Sequence, residues 1–348
     1  MKVNTKMIKV TDGQRWKLFH IENNRKMTVE VLNFGGIITQ IRVPDRNGLV
    51  ENIVLGYKHY RDYIENPAFF GAIIGRVAGR IRDAQFVLRG RTFHLGANEG
   101  SHHLHGGNTH FHQVLWDAVP FQSDYSAGVI LSHTSPDGEG GYPGNVTVQV
   151  RYELYDWNEF RITYRAETDE ITPLALTNHT YFNLSGDVKD TIEKHEVQLK
   201  SGSFLELDEV LLPTGKRLDV EQTPFDFRSW RRIRDGIQSA HPQNRIVGNG
   251  YDHYFLFEQQ EKEKVKVKEK ISGRVMVVES DEPGMVMYTG NNLDESFLLR
   301  EGYAKKYGGL CIETQRHPAS LLYEGLPSVI LKPEQTFETS TSFTFYTE

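Results

Sequence analysis

The segment SHHLHGGNTHFH concentrates imidazole groups, with histidines at His102, His103, His105, His110 and His112. A metal site is one interpretation, because histidine is a common zinc ligand. However, no HExxH pattern is present, and the nearest acidic residues, Glu99 and Asp117, stand in no recognisable ligand spacing. A polar loop that uses one or two of its histidines is therefore favoured. His105 stands out because Gly106 and Gly107 follow it, and glycines let a ligand approach the backbone closely.

A second polar cluster interrupts the apolar segment LALTNHTYFNL. Strand alternation places His179, Tyr181 and Asn183 on one face of this segment. An isolated histidine in a strand is usually a structural residue with hydrogen-bond partners. Because several polar side chains lie together here, a structural role and a functional role are about equally supported.

Two acidic residues occupy positions that suit chemistry. Glu313 follows three apolar residues in LCIETQRH and is expected at the end of a buried strand. Charged groups are rarely buried without a partner or a function, and the structural alternative is an ion pair with an arginine. Asp252 in GYDHYF is, by default, a turn residue that bonds its own backbone.

Gly79 and Arg80 belong to the glycine-rich segment GAIIGRVAGRI. This segment is not a dinucleotide-binding fingerprint, because the G-x-G-x-x-G spacing is absent and no βαβ unit follows. An arginine beside glycines suits a fork of donors held against ligand oxygens. Histidine and glutamate are the minimum pair for general acid–base catalysis near neutral pH. Together these residues predict a proton-transfer enzyme or a binder of polar ligands, with no cofactor and no resident metal.

Composition limits the kind of protein that carries these residues. The 348 residues are 38% hydrophobic and 25% charged, as in ordinary globular proteins. A net charge of -6 without a basic block argues against nucleic-acid binding. The single cysteine, Cys311, excludes an intrachain disulfide and a cysteine-based zinc cluster. The N-terminal residues lack the apolar run of a signal peptide, and no run approaches the roughly 18 apolar residues of a membrane helix. A soluble, cytoplasmic protein is expected.

Most of the elements that must position these residues are predicted to be β-strands. Runs rich in β-branched and aromatic residues alternate with turn residues and predict strands at 28–34, 37–43, 86–95, 146–154, 161–166, 274–279 and 336–346. Short helices are predicted at 61–65 and 230–237, the second with Ser229 as N-cap. Residues 208–228 are predicted to form a long surface connection. No linker or repeat divides the chain, so we predict one all-β domain over residues 1–348, a large antiparallel sandwich or barrel with few short helices.

The motifs, taken in order, resemble those of the aldose 1-epimerases, also called galactose mutarotases. The resemblance covers nearly the whole chain through FGGIITQIRVPDRNGLVENIVLGY, GRVAGRI, HHLHGG, TNHTYFNLSG, YDHYFLF, PGMVMYTGN and CIETQ. Each motif is moderately specific, and their succession is highly specific. The resemblance implies a β-supersandwich fold and an enzyme that interconverts the α and β anomers of free aldoses such as glucose and galactose. It implies a monosaccharide as the partner, and we expect a monomer or homodimer.

The resemblance also implies roles for individual residues. Glu313 of the ETQ motif corresponds to the general base, and His179 of the TNH motif corresponds to the general acid. The predicted substrate-binding residues are Gly79, Arg80, His105, Tyr181 and Asp252. Two positions depart from the family pattern. Gly79 stands where many members have Asn, and Val286 stands where some members have Gln.

The chemistry of mutarotation agrees with these residue types. A proton leaves the anomeric hydroxyl and another reaches the ring oxygen; the ring opens, the C1–C2 bond rotates and the ring closes on the other face. With ordinary pKa values of about 4.3 and 6.5, Glu313 would be ionised and His179 partly protonated at neutral pH. One alternative is a non-catalytic sugar-binding protein on the same fold, and retention of both residues argues against it. Another is an epimerase of hexose 6-phosphates, which needs a cationic pocket.

Overall fold

The chain folds almost entirely into antiparallel strands. A computed structural model describes residues 1–108, 111–258 and 260–348. Within these residues the α-helices are Ile233–Ile237 and Pro242–Ile246, and the 3-10 helices are Tyr60–Tyr63, Arg82–Ala84, Phe111–Gln113, Glu139–Gly141, Ile192–Lys194 and Pro318–Leu321. None of the helices in the described part of the chain is long and apolar enough to cross a membrane. The all-β prediction is confirmed.

Three larger sheets organise the described residues. A five-stranded sheet contains Lys2–Lys9, Arg15–Glu22, Thr28–Leu32, Ile38–Pro44 and Val50–Asn52. A nine-stranded sheet contains, in spatial order, Asp117–Gln122, Ser126–Ser135, Val146–Tyr155, Glu159–Thr168, Phe337–Thr347, Arg274–Ser280, Glu263–Lys268, Glu196–Leu199 and Arg231–Arg232. A six-stranded sheet contains, in spatial order, Tyr181–Phe182, Leu310–Thr314, Gly284–Tyr288, Asp252–Leu256, Ser203–Leu207 and Pro213–Asp219.

Short two-stranded ribbons connect these sheets within the described part of the chain. They pair Arg80–Ile81 with His103–Leu104, Ile73–Ile74 with Thr177–Asn178, Gln85–Leu88 with Arg91–His94, Thr172–Pro173 with Ile330–Leu331, and Leu298–Leu299 with Gly302–Tyr303. The first two ribbons matter for function, because each brings together segments in which the sequence placed candidate site residues.

The six-stranded sheet packs against the nine-stranded sheet through one of its faces. Side chains alternate between the faces of a strand, and the apolar members of this sheet lie on the inner face: Phe204, Phe255, Met285, Met287, Leu310 and Ile312. They join one core with Val265, Met276 and Phe343 of the nine-stranded sheet. Two contacts cross the interface directly, since the rings of Phe182 and Phe343 lie 5.2 Å apart and the hydroxyls of Thr314 and Thr341 lie 2.6 Å apart. The fold is therefore a sandwich.

The opposite face of the six-stranded sheet carries polar side chains. Its register places Val286 between Glu313 on one neighbouring strand and Tyr254 on the other. The next same-face position along the central strand, Tyr288, lies opposite Asp252. A strand that is buried on both sides normally reads as a continuous apolar run. The polar residues on this face therefore need an environment other than the core.

Three sequence predictions about the elements are wrong in detail. The strand predicted at 86–95 is a hairpin, because Arg89 and Gly90 both adopt positive φ and reverse the chain. The helix predicted at 230–237 begins only at Ile233 and has Arg232 as its N-cap, since the preceding residues pair with Glu196–Leu199. The connection predicted at 208–228 contains the edge strand Pro213–Asp219, which lacks the alternation of a typical strand.

Gly71 links the five-stranded sheet to the segment that carries His179. Its carbonyl accepts hydrogen bonds from the Ile38 N–H and the Asn178 amide, and its N–H donates to the His179 carbonyl. Its φ is +67°, and a Cβ at this position would overlap the backbone oxygen of Ile38. Only glycine satisfies both constraints without moving a neighbouring backbone.

We predict that Gly71→Ala destabilises the protein. The left-handed conformation alone costs about 1–2 kcal/mol for a residue with a Cβ, and the overlap with Ile38 adds to this. Urea unfolding followed by tryptophan fluorescence measures the free energy of unfolding. The control is Gly13→Ala, where a Cβ meets nothing within 4 Å and a change below about 1 kcal/mol is expected. Equal stability of the two variants would contradict the prediction.

Candidate active site

A cleft on the polar face of the six-stranded sheet collects the seven residues that the sequence analysis assigned to catalysis or substrate binding. Its lining includes Gly79, Arg80, His105, His179, Tyr181, Asp252 and Glu313. Every strand of this sheet contributes to the cleft floor, from Tyr181 on one edge strand to Pro213 on the other. The ribbon of Arg80–Ile81 with His103–Leu104 and the loop before Phe70 form walls of the cleft. Residues far apart in sequence thus meet in one concave site.

Glu313 and His179 lie against each other at the base of this cleft. Glu313 is 3% exposed and His179 is 5% exposed. One carboxylate oxygen of Glu313 lies 3.5 Å from Nε2 of His179. Glu313 projects from the strand Leu310–Thr314, whereas His179 lies between the short strands Thr177–Asn178 and Tyr181–Phe182. Pairing of Tyr181–Phe182 with Leu310–Thr314 holds the two groups at this distance.

Burial changes the protonation of both groups from the sequence-based expectation. Desolvation raises the pKa of Glu313 well above its ordinary value; the nearby Asp252 carboxylate adds to the rise and Arg80 opposes it. Desolvation lowers the pKa of His179 to about 4. The ordinary values used at the sequence level describe solvated groups, which these are not. His179 is therefore neutral near pH 7.

Cys311 lies against Nδ1 of His179 and favours the tautomer with the proton on Nε2. Its Sγ lies 3.5 Å from Nδ1 of His179. Desolvation raises the pKa of the Cys311 thiol well above its ordinary value, so the group stays protonated and can donate its S–H to Nδ1. A neutral imidazole that accepts at Nδ1 carries its proton on Nε2. That proton points toward Glu313 and the cleft.

His105 presents its proton to the cleft in the same way. It has φ +52° at the start of a tight turn with Gly106 and Gly107, and a Cβ at Gly106 would overlap the Gly75 carbonyl. The Gly79 N–H donates to Nδ1 of His105 at 3.2 Å. Burial lowers the pKa of His105 well below its ordinary value, with smaller contributions from His179 and Arg80. The neutral ring therefore carries its proton on Nε2.

Arg80 is held by two carboxylates. It donates two hydrogen bonds to Glu99, at 2.6 and 2.9 Å, and its Nη1 lies 3.9 Å from a carboxylate oxygen of Asp252. Burial raises the pKa of Asp252, and the charge of Arg80 opposes this rise. Asp252 begins the strand Asp252–Leu256 and lines the cleft, so the prediction that it is a turn residue is wrong. The sequence analysis considered Glu99 only as a metal ligand and did not predict that it holds Arg80.

Comparisons of the chain with known proteins identify its family. Residues 17–344 match the family model described as aldose 1-epimerase. The chain is 38% identical to a galactose mutarotase of Bos taurus over 330 residues, which are 94% of this chain and 93% of that protein. It is 33% identical to an aldose 1-epimerase of Escherichia coli over 346 residues, which are 97% of each chain.

The chain belongs to the aldose 1-epimerase family. Its fold is similar to that of a galactose 1-epimerase from Lactobacillus acidophilus, with a TM-score of 0.90, 29% identity and coverage of 100% and 99% of the two chains. It is also similar to an aldose epimerase homologue from C. elegans, with a TM-score of 0.87, 26% identity and coverage of 99% of each chain. The family resemblance drawn from the motifs is confirmed.

Several cleft residues of this family member were not identified from the sequence. Phe69 packs against the rings of His105 and His179, at 4.9 and 5.7 Å. Tyr254 and Tyr288 line the floor, and their signal was the alternation that places them on the same face as Asp252 and Val286. Leu207, Leu211 and Pro213 come from the segment around the predicted surface connection, whose sequence gave no indication of a site.

Asn183 departs from the predicted alternation. Instead of lining the cleft with His179 and Tyr181, it donates to the carbonyls of Asp190 and Gly308. The chain turns immediately after the two-residue strand Tyr181–Phe182, so the alternation of an extended strand no longer applies.

The histidine-rich segment supplies one of its described histidines to the cleft, next to Leu104 of the same segment. His103 bonds the Gly96 carbonyl and the Tyr142 hydroxyl, and His102 accepts from the Asp83 N–H. His112 is buried against Phe69, whereas His110 lies outside the described residues. Only His105 of the described histidines in this segment lines the cleft, which agrees with the interpretation as a polar loop.

The distances alone would permit a metal ion between His105, His179 and Glu313, whose potential ligand atoms lie within 4.8 Å of one another. Two histidines and a glutamate form the ligand set of some catalytic zinc sites. However, a ligating nitrogen must be unprotonated. The Gly79 N–H occupies Nδ1 of His105 and leaves the proton on Nε2. Ligation by Nε2 would place two protons against each other at Nδ1, so these residues do not fit a resident metal.

We therefore predict that the purified protein holds no stoichiometric metal. Elemental analysis should find none, and prolonged EDTA treatment should leave both mutarotase activity and the melting temperature unchanged. Stoichiometric zinc, together with loss of activity on chelation and its rescue by added zinc, would contradict the prediction.

Proposed function

We propose that this protein is an aldose 1-epimerase that interconverts the α and β anomers of free aldoses, glucose and galactose among them. Family membership assigns it to the isomerases that act on carbohydrates. The observation that carries the proposal is the contact between a buried carboxyl group and a neutral imidazole, Glu313 and His179, at the base of a cleft. Both groups needed for ring opening lie there within reach of one pyranose.

In the proposed reaction, Glu313 accepts the proton of the anomeric hydroxyl. The C1–O5 bond breaks as the aldehyde forms, and the ring oxygen takes the proton on Nε2 of His179. A neutral imidazole can serve as this donor because the departing oxygen gains alkoxide character. After rotation about C1–C2, the 5-hydroxyl attacks the other face of the aldehyde, returns its proton to His179, and Glu313 returns the first proton to O1. Protons and charges balance over the cycle.

The remaining predicted site residues hold the other hydroxyl groups of the sugar. Asp252 offers an acceptor, Arg80 a guanidinium fixed by Glu99, and His105 a neutral N–H donor. Burial raises the pKa of Tyr181 well above its ordinary value, so its hydroxyl stays protonated and can also donate. Donors and acceptors fixed in this way suit a polyhydroxylated ligand.

The charge of the cleft favours a neutral sugar over a hexose 6-phosphate. Arg80 is the one arginine or lysine among the described residues that line it, and Glu99 and Asp252 already neutralise that charge. Glu313 adds a third carboxyl group. Recognition of phosphate requires cations or free backbone N–H groups. We therefore propose that phosphorylated sugars are poor substrates.

We predict that Glu313→Gln removes most of the activity while the fold persists. The amide is nearly isosteric, but it cannot accept the anomeric proton. Loss of a general base should lower kcat on the order of 10²-fold or more. Polarimetry of freshly dissolved α-galactose, corrected for the uncatalysed rate, measures the effect. This assay also separates an enzyme from a non-catalytic sugar-binding protein.

The matched control is Glu282→Gln. Glu282 is also buried, and desolvation raises its pKa too, but it lies outside the cleft. This variant should keep near-normal kcat. A folded Glu313→Gln variant with more than about a tenth of the wild-type kcat would show that Glu313 is not the base.

We predict that activity depends on the raised pKa of Glu313. As the pH falls through that pKa, the carboxylate becomes protonated and kcat/KM decreases, so the acidic limb should lie above the ordinary value of about 4.3. No fall in kcat/KM is expected from deprotonation of an imidazolium as the pH rises through 6.5, because the pKa of His179 is lowered to about 4. The profile of kcat/KM from acidic to alkaline pH, measured by polarimetry, checks both features.

Asp252→Asn tests the electrostatic coupling of Glu313 to Asp252, whose own pKa is also raised by burial. It removes a like charge that raises the pKa of Glu313, so the limb should move to lower pH. The shift is independent of any weaker sugar binding, which changes the height of the profile instead. A wild-type limb at or below the ordinary glutamate value, or one unmoved by Asp252→Asn, would contradict the prediction.

A further inference from the structure

His317 lies in the cleft and has no role in the chemistry described above. It follows the strand Leu310–Thr314 and precedes the 3-10 helix Pro318–Leu321. The side chain lines the cleft, and the residue is 7% exposed. Its ring packs edge-on against the ring of Tyr254, with the centroids 5.0 Å apart. A titratable side chain in this position needs either a structural or a ligand-binding explanation.

The backbone fixes the tautomer of His317. The Ala319 N–H donates to Nδ1 at 3.1 Å. Burial lowers the pKa of His317 to about 3, and the nearby charge of Arg80 adds to this effect. The ring is therefore neutral at pH 7 and carries its proton on Nε2. Among residues 1–108, 111–258 and 260–348, Nε2 has no hydrogen-bond partner.

Packing holds this N–H in place. Pro318 approaches Gly79 so closely that a Cβ there would lie 3.1 Å from the proline ring. The side-chain amide of Gln315 donates to the Ala78 carbonyl and ties the same segment to the Gly79–Arg80 wall. The ring of Tyr254 closes the other side. A donor held by such contacts loses little conformational entropy when it binds a ligand.

The order of residues along this segment sets which part of a sugar His317 can reach. Cys311 contacts His179, Glu313 comes next on the same face, and His317 follows beyond the end of the strand. The anomeric carbon must lie close to Glu313 and His179, where protons are exchanged. His317 packs on Tyr254, which the strand Gly284–Tyr288 separates from Glu313, so its ring lies away from the reacting atoms.

We propose that His317 donates its Nε2 proton to a hydroxyl oxygen of the aldose remote from the anomeric carbon, and thereby discriminates between sugars that present this hydroxyl and sugars that lack it. The proposal rests on the proposed function, since it names a specificity-determining contact in the same cleft. The acceptor is a neutral hydroxyl oxygen, because the three carboxyl groups of the cleft disfavour an anion.

Two substitutions separate this role from a purely structural one. In His317→Asn, the side-chain oxygen can still accept the Ala319 N–H, as Asn commonly does at the start of a helix, but no donor reaches the position of Nε2. In His317→Gln, an amide N–H reaches that position, whereas the acceptor for Ala319 is lost. A structural role predicts that Asn is the milder change. Ligand binding predicts that Gln is the milder change for sugar recognition.

The experiment measures kcat and KM by polarimetry, and Kd by calorimetry, for galactose, glucose and the monodeoxygalactoses. Wild-type protein should prefer galactose over one particular deoxy sugar. His317→Asn should reduce that preference by about three- to tenfold, as expected for loss of one neutral hydrogen bond, through KM more than kcat. His317→Gln should restore part of it. Melting temperatures establish that each variant is folded.

His241→Asn is the matched control. His241 accepts the Gln243 N–H through Nδ1 at 3.2 Å in the same manner, but it does not line the cleft. Its sugar preferences should equal those of the wild type. Unchanged preferences in both His317 variants, with active wild-type protein, would overturn the His317 proposal and leave the proposed function intact.

Absence of catalysis in the wild type would overturn the proposed function instead. The Kd values would then decide the role of His317, because the same loss of preference should appear in binding. Absence of sugar binding by the wild type would overturn both proposals.

Discussion

The desolvation of Glu313 is the constraint on which the rest of the site depends. A carboxyl group that is 3% exposed is a stronger base than a solvated one, because water no longer stabilises its charge. An ion pair between Glu313 and an arginine would stabilise the carboxylate and cancel this gain in basicity. Arg80 is nearby, but Glu99 binds it through two hydrogen bonds and Asp252 lies beside it. The site thus keeps a cation close enough to bind sugar oxygens without placing it in an ion pair with the base.

The backbone and one thiol determine how the histidines of the cleft act. The N–H groups of Gly79 and Ala319 occupy Nδ1 of His105 and His317, and the thiol of Cys311 faces Nδ1 of His179. Burial keeps all three rings neutral, and an Nδ1 that accepts a hydrogen bond leaves the proton of its ring on Nε2. The same arrangement disfavours a metal ion there. Neutral donors suit a polyhydroxylated, uncharged ligand, whereas imidazolium groups would attract anions.

Strand alternation couples the stability of the protein to the geometry of the site. In the six-stranded sheet, Met285, Met287 and Ile312 face the nine-stranded sheet, while Val286, Tyr288 and Glu313 face the cleft. A shift of one residue in register would exchange the two sets and bury the polar groups in the core. Gly71 adds a second restraint, because its hydrogen bonds tie the His179 segment to the five-stranded sheet. The core therefore fixes the distance between His179 and Glu313.

The sequence by itself determined the all-β class, the family and the seven residues that meet in the cleft, because these are carried by local patterning and by motifs of contiguous residues. It did not predict the turn at Arg89 and Gly90, the strand Pro213–Asp219 or the cleft position of His317, since each depends on pairing or packing with distant segments. The sequence also did not predict the directions in which the pKa values of Glu313 and His179 shift, or the tautomer of His179. Desolvation and hydrogen bonding are properties of an environment assembled from many parts of the chain, so only the tertiary structure decides them.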